Sequence, residues 1–390
     1  MRQTSAAAGS ESALTCIVND DERSVSSSEI TVSIYEHEIP PFVEAEIARL
    51  YESVYTLLTR FRLYGEARNA STYVAHENGR AIAVFLFVRE QGEVKVLNKQ
   101  IRVDAEEASR FARTIFSMFK SVTVISFWAI DVANPEFGFP YQRSYCLSDI
   151  VVTLPDTADK YFTSLGKNMR RTIRSKMRKL EQDFPSFAYE VHANEAVSEQ
   201  HILSIIALSN ARMVVKDKVS YNHDEETGRL IRLAKMCGFV VVATIDGEVC
   251  AGMICYRVGA TCFAQALAHD PQYDDYKLGA LCCYLTICEC IARGGKTWRF
   301  GGSTHRYKFE FQGVLQRFDY LSVYRSRVHF LLNGGRVLKT ACIAYASQAK
   351  LWLLLAEHHD SLLSRVATWC VRTLKNIRNS VTGFFPRGSR

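Results

Sequence analysis

Hydrophobic and polar positions alternate with a period of two at two distant places in the chain. At each, the alternating runs flank a turn pair, Asn78-Gly79 in one and Asp246-Gly247 in the other. Such pairs favour the tight turns of two-residue hairpins. The spacing predicts hairpins of 72–76 with 81–89 and of 239–245 with 249–257. The local sequences "VAHENGRAIA", from Val74, and "VATIDGEVCA", from Val242, share V-A-x-x-[Asn/Asp]-Gly-x-x-x-A at an offset of 168 residues. The elements after each hairpin also agree. A third strand, "EVKVLNKQI" or "TCFAQALAH", leads to a run of helical period, "DAEEASRFARTIFSMFK" or "LGALCCYLTICECIARG", and then to a strand, "SVTVISFWAI" or "KTWRFGGS". Helical sequence precedes each hairpin as well, "VEAEIARLYESVYTLLTRF" before the first and "SEQHILSIIALSNARM" before the second. The chain reads as a duplicated mixed α/β unit of roughly 150 residues, an ordinary domain size.

Between the copies lies "KNMRRTIRSKMRK", Lys167 to Lys179, with seven basic residues in thirteen and no acid. On a helix Met169, Ile173, Met177 and Leu180 fall at i, i+4, i+8 and i+11, one apolar stripe. That stripe packs on a core, which leaves the basic residues on the outer and flanking faces. Arg174 is the arginine singled out as a candidate contact for an anionic acceptor. A nucleic-acid arm would interleave aromatics, and here Phe162 and Phe184 stand only at the ends. Residues 336–380 also read as helical, with Leu362, Leu363, Val366, Trp369, Cys370, Leu374 and Ile377 as a stripe flanked by bases. This C-terminal helix packs on its own protein or makes weak peripheral contact with a membrane.

Composition narrows the class without deciding it. The chain has 390 residues, 48% of them hydrophobic, enough for two sizeable cores. Residues 1–29 are rich in Ser and Ala and are expected to be a disordered tail. No secretory signal and no apolar run near the ~20 residues of a membrane span stand out, so a cytoplasmic setting is expected. The net charge of +7 suits an anionic ligand without requiring one. Twelve cysteines include no C-x-x-C pair. They are read as small buried residues in a reducing compartment, and no metal site is expected.

The two copies differ where a phosphate would bind. The first helix opens with "DAEE", three acids in one turn, which suits the helix dipole and repels a phosphate. The second opens after "YDDYKLGA", where Lys277 and Gly279 stand at the turn. Backbone N–H groups at a helix start, with a glycine beside them, can cradle a phosphate. A phosphate site therefore belongs to the second copy.

These residues carry a resemblance. From Asp156 to Tyr324 the chain resembles the GNAT acyltransferase superfamily. Within it the likeness is to the acetyltransferases associated with cellulose and exopolysaccharide gene clusters, related to the Fem-type aminoacyl transferases. "YFTSLGKNMRRTIRSKMRKLEQDF" is similar to the branch's opening helix, and "DDYKLGA" and "GGSTHRYK" match its phosphate loop and its Tyr-Lys turn. The fuller Gln/Arg-x-x-Gly-x-Gly/Ala loop is reduced here to Gly279 and Ala280. The long helical arm of some Fem-type enzymes is missing, which makes use of charged tRNA less favoured.

The resemblance implies an α/β (α+β) protein of two tandem GNAT-like lobes, each a mixed central sheet flanked by helices, with a helical C-terminal extension. Its bounds are 1–29 for the tail, 30–150 for a degenerate first lobe, 151–330 for the catalytic lobe and 331–390 for the extension. It implies an acyl-CoA-dependent N-acyltransferase, with acetyl-CoA or another acyl-CoA as co-substrate and a small or saccharide-linked amine as acceptor. Backbone groups of Gln265, Ala266, Leu267 and Ala268 would hold the pantetheine. Lys277 and the amides of Leu278, Gly279 and Ala280 would hold the pyrophosphate. At the ends of the two flanking strands lie His269, Asp270, His305, Tyr307, Lys308 and Glu310. His305 suits a general base near neutrality. Tyr307 would protonate the leaving thiolate, and Glu310 would orient His305 or take the amine proton. Asp270 and Lys308 would meet the acceptor. Other classes remain open: aminoacyl transfer from charged tRNA, or a non-catalytic binding protein of the same fold. Sequence-specific nucleic-acid binding is not expected.

Overall fold

The computed structural model describes residues 14–17, 30–132, 137–215 and 224–356. Strand β1 (Leu14–Ile17) lies antiparallel to β2 (Ile30–Tyr35). Within the tail expected to be disordered, Leu14–Ile17 thus pairs as a strand along the edge of β2. The rest of 1–29 lies outside the described residues, as do 357–390 with the stripe from Leu362 to Ile377.

The first lobe continues with α1 (Val43–Tyr51), a 3-10 turn (Val54–Thr56) and α2 (Leu58–Tyr64). It is completed by β3 (Ser71–Glu77), β4 (Arg80–Glu90), β5 (Glu93–Val96), β6 (Ile101–Arg102), α3 (Ala105–Met118) and β7 (Val124–Asp131). Strand β8 (Tyr141–Thr153) links the halves and runs across residues 150 and 151. The second lobe holds α4 (Ala158–Ser164), α5 (Lys167–Asp183), β9 (Ala188–Ala193), α6 (Glu199–Val215) and α7 (Asp224–Cys237). After these come β10 (Gly238–Ile245), β11 (Glu248–Val258), β12 (Thr261–His269), α8 (Leu278–Ala292) and β13 (Thr297–Arg299). The described chain ends with α9 (Arg306–Glu310), β14 (Val314–Tyr324), α10 (Arg327–Leu332) and α11 (Gly334–Ala356).

Both predicted hairpins form. Asn78 and Gly79 have φ of 50° and 77°, and Asp246 and Gly247 have φ of 53° and 81°. Positive φ at both central residues is what the turn requires. The strands join in one mixed sheet, in the order β1-β2-β3-β4-β5-β7-β14-β8-β13-β12-β11-β10-β9. Helices cover both faces, and each lobe buries an apolar cluster on either side. The lobes are joined by exchange. β14, from the end of the second half, lies between β7 and β8, and β8 in turn pairs with β13.

One predicted helix is broken. The run from Val43 to Phe61 splits at Glu52, whose φ is 43°. The cause is the other lobe. The Glu52 carboxylate accepts from the Thr261 hydroxyl at 3.2 Å, and the Tyr55 ring stands edge-on to Phe263 at 5.9 Å. Contact between lobes overrides helix propensity at this point.

Candidate active site

Strands β12 and β13 form a V. They pair in parallel at Thr261, Cys262 and Phe263 with Thr297, Trp298 and Arg299, and there β13 ends. β12 continues along β11 to His269. A register shift between Ile254 and Cys255 leaves Gln265 as a bulge. From Ala264 onward, no strand among the described residues pairs with the β13-facing edge of β12. Gln265 is exposed, Ala266 and Leu267 are half-buried, and Ala268 is buried. A backbone edge inside a fold is a template for hydrogen bonds to an extended amide chain.

The V leads to the start of α8. Asp270 accepts from the Gln272 N–H at 2.9 Å and so caps the 3-10 turn Pro271–Tyr276. Lys277, exposed and with φ of 53°, begins the helix. Its carbonyl accepts from Ala280 at 2.9 Å and from Leu281 at 3.1 Å. Of the three expected amides, that of Ala280 is therefore engaged inside the helix. Those of Leu278 and Gly279 are the first-turn donors that remain to meet an anion.

Gly279 has a second reason to be glycine. A Cβ there would stand 2.6 Å from His269 Nδ1. The His269 ring lies under the helix start with Nε2 2.7 Å from Asp274 Oδ1, while its buried Nδ1 has no hydrogen-bond partner. Sequence reasoning put His269 at the strand end without a role. The structure puts it against the glycine.

Across the V, the turn from Phe300 to Ser303 leads into α9. Lys308 holds this turn from within. Its ammonium donates to the Phe300 carbonyl at 2.8 Å, the Gly301 carbonyl at 3.1 Å and the Ser303 hydroxyl at 2.6 Å. The side chain is buried, and burial pushes its pKa down to about 8. All three of its donors are taken by the protein, which leaves none for the acceptor contact expected of Lys308. His305 is exposed and near parallel to Tyr307, ring centres 6.3 Å apart, and Tyr307 stands edge-on to Phe300 at 6.0 Å. The Glu310 carboxylate faces Arg306 at 3.2 Å, an exposed pair on the outside of α9. Arg174 lies elsewhere, on α5, with its guanidinium 4.8 Å over the Phe162 ring of α4.

A buried ion pair escaped sequence reasoning. Arg299 Nε donates to Asp149 Oδ2 at 2.7 Å, one residue before the V opens, and joins β13 to β8. The guanidinium lies 5.5 Å over Phe263 and 5.2 Å over Phe318. A charged residue inside each of two apolar strand runs was the available signal, but nothing local pairs residues 150 positions apart. The cysteines are likewise only partly as expected. Cys250, Cys255, Cys282 and Cys283 are buried thiols, whereas Cys262 on β12 and Cys290 on α8 are joined as a disulfide, Cα–Cα 6.6 Å. Packing of α8 on β12 brings the two together. Among the described residues no group of three His, Cys, Asp or Glu could hold a metal, and no helix is long and apolar enough to cross a membrane.

Residues 167–309 match the family model of the acetyltransferase (GNAT) domain. The second lobe is thus similar to a GNAT domain over most of its length. The V and the helix after it lie wholly within the matched stretch. Among solved structures the chain is similar to FemX, at 10% identity over 74% of this chain and 96% of that one, with a TM-score of 0.55. It is also similar to L-PGS from Bacillus licheniformis, at 13% identity over 78% and 98%, with a TM-score of 0.45. The likeness to FemX is one of fold and extends over both lobes, not the GNAT domain alone. No curated protein matches the chain.

Proposed function

We propose that the chain transfers the acyl group of an acyl-CoA, acetyl-CoA first of all, to an amine of a small or saccharide-linked acceptor in the cytoplasm. The observation that supports this most is the V, an unpaired strand edge that ends at the first turn of α8. The edge from Gln265 to Ala268 would hydrogen-bond the pantetheine amides, and the Leu278 and Gly279 N–H groups with Lys277 would meet the pyrophosphate. The bound thioester supplies an activated carbonyl. The acceptor nitrogen attacks that carbon, the C–N bond forms and the C–S bond breaks. His305 takes the amine proton, and Tyr307 returns a proton to the departing thiolate. Asp270, at the end of β12, would meet the acceptor, and Lys308 keeps the turn before α9 in place. Glu310, turned toward Arg306, is a weaker candidate for orienting His305.

The test is turnover by free-thiol release over a panel of amino sugars, amino acids and polyamines. His305→Ala is expected to lower kcat by about 10²–10⁴-fold, partly recovered at high pH as the amine deprotonates itself, with acyl-CoA affinity little changed. Wild-type turnover in His305→Ala, Tyr307→Phe and Glu310→Gln alike would place the chemistry elsewhere. The fold shared with FemX keeps aminoacyl transfer from charged tRNA as a second reading. A ligand at a hundred times its Kd stabilises a fold by about 2.7 kcal/mol. A thermal shift with tRNA and none with any acyl-CoA would favour that reading over ours.

A further inference from the structure

Helix α11 has two apolar faces, and only one of them is covered. Ala344 and Leu351, seven residues apart, are buried against the sheet. Leu338, Tyr345 and Trp352 also recur every seven residues, and they are 66%, 73% and 57% exposed. At 100° per residue these two stripes lie roughly 120° apart on the helix. Helix α10 adds Leu331 and Leu332, 74% and 77% exposed. A contiguous apolar surface of this kind marks an interaction site more often than isolated exposed residues do.

The charges around it have one sign. From Tyr320 to Ala356 the chain contains no Asp or Glu and five Arg or Lys. Two of the five are spent inside the protein. Arg325 donates to the carbonyls of Val122, Phe116 and Phe119, and Arg336 pairs with Glu93. Arg327, Lys339 and Lys350 are exposed. Lys339 and Lys350 lie about 120–140° from the axis of the apolar stripe, on the third side of the helix, away from the buried Ala344 and Leu351. Exposed Leu, Tyr and Trp together with lysines, and no acid in the same stretch, is the pattern of a helix lying in a membrane interface. The aromatics suit the headgroup level, and the lysine stems can follow the apolar surface while their ammonium groups reach lipid phosphates.

We infer that α10 and α11 form a docking surface for an anionic lipid membrane, with the stripe of Leu338, Tyr345 and Trp352 entering the interface. The surface is separate from the V, and the inference does not depend on the acyl transfer proposed above. A protein partner would need acidic groups opposite the lysines. A second copy of this chain would set like charges against each other.

The experiment is co-sedimentation of the full chain with phosphatidylcholine vesicles carrying about a third phosphatidylserine, beside vesicles of phosphatidylcholine alone. The chain is expected to pellet with the anionic vesicles and to be released by added salt. Leu338→Asp and Trp352→Asp are each expected to weaken binding at least about tenfold without changing the melting temperature, since both positions are on the surface. Lys339→Gln with Lys350→Gln is expected to weaken binding to the anionic vesicles alone. Failure of the wild-type chain to pellet would overturn the inference, and so would pelleting that Trp352→Asp leaves unchanged. A wild-type dimer that Trp352→Asp dissociates, with no vesicle binding, would assign the face to a second copy and overturn it as well.

Discussion

The two lobes part company at their fourth strand. In the first, the chain leaves β5 at Val96, and by Ile101 it pairs with β7 as β6. In the second, β12 stays with β11 all the way to His269, and β13 is left behind. The same element order thus gives a closed sheet in one lobe and an open V in the other. Asn98 completes the closure. Its Oδ1 accepts from the Leu86 N–H at 2.8 Å, and its Nδ2 donates to the Val84 carbonyl at 3.2 Å, so a side chain takes the edge of β4 that a continuing strand would have taken. The start of α3 is filled as well. Asp104 accepts from the Glu106 N–H at 2.8 Å, and Glu106 and Glu107 both pair with the buried Arg110. The lobe that resembles a second site in sequence has its own groups where a ligand would lie.

The most disruptive way to probe this closure is Asn98→Ala. Asn98 is fully buried, and its loss takes the partner from the Leu86 N–H, while the Val84 carbonyl keeps the Tyr51 hydroxyl at 2.9 Å. We expect a destabilisation of about 1–3 kcal/mol, read from the denaturant midpoint, while calorimetry still gives one acyl-CoA per chain. An unchanged midpoint would mean that Asn98 does not hold the closure. A second binding site in the variant would mean that Asn98 alone separates the lobes.

The next probe is at Gly279, where two explanations make different forecasts. If the glycine makes room for the His269 ring, Gly279→Ala should cost about 1–3 kcal/mol of stability through overpacking, and His269→Ala added to it should recover much of that. If the glycine serves only close approach of a phosphate, alanine should leave stability unchanged or slightly raised, as helix propensity favours. Acyl-CoA affinity alone would then fall. The 2.6 Å approach favours the first outcome. Melting temperatures of the single and double variants, with and without acyl-CoA, separate the two.

The legible parts of the fold were those set by local pattern. The Asn-Gly and Asp-Gly turns specified both hairpins, because few residues accept positive φ in succession. The acids of "DAEE" marked the helix start in which Asp104 serves as cap. What escaped was set by residues distant in sequence. The break at Glu52 depends on Thr261 and Phe263 of the other lobe. The insertion of β14 between β7 and β8 depends on pairings of 322 with 126 and of 150 with 315, which no local period encodes. Within the candidate site, the start of α8 was legible as a turn with Gly279. The burial of Lys308 was not, since a lysine in "HRYKFE" looks like any surface lysine until the turn folds back over it. His269 was visible as a histidine at a strand end, but its contact with Gly279 appears only once β12 and α8 are packed.

The smallest expected effect concerns how each lobe begins. The first opens with β1 on β2. The second opens with α4 and α5, whose Tyr161, Leu165, Ile173 and Leu180 are buried in the core that also holds α8. The stripe read from the sequence therefore faces inward, with Met169 and Met177 packed at its margin. Arg171, Arg174, Arg178 and Lys179 are exposed. Arg174 lies over the Phe162 ring, and at an exposed site such a contact contributes about 0.5–1 kcal/mol. Arg171→Gln with Arg174→Gln should then change stability by no more than about 1 kcal/mol. Ile173→Asp, which buries an unpaired carboxylate, should unfold the second lobe. The reverse ranking of melting temperatures would put the wrong face of α5 inside. The same double variant sharpens the ligand side of the comparison. If only the V and the start of α8 hold acyl-CoA, its Kd should stay within about twofold of wild type. A tenfold rise, about 1.4 kcal/mol, would bring the basic face of α5 into the site and make the asymmetry between the lobes a matter of an added helix as well as an open strand edge.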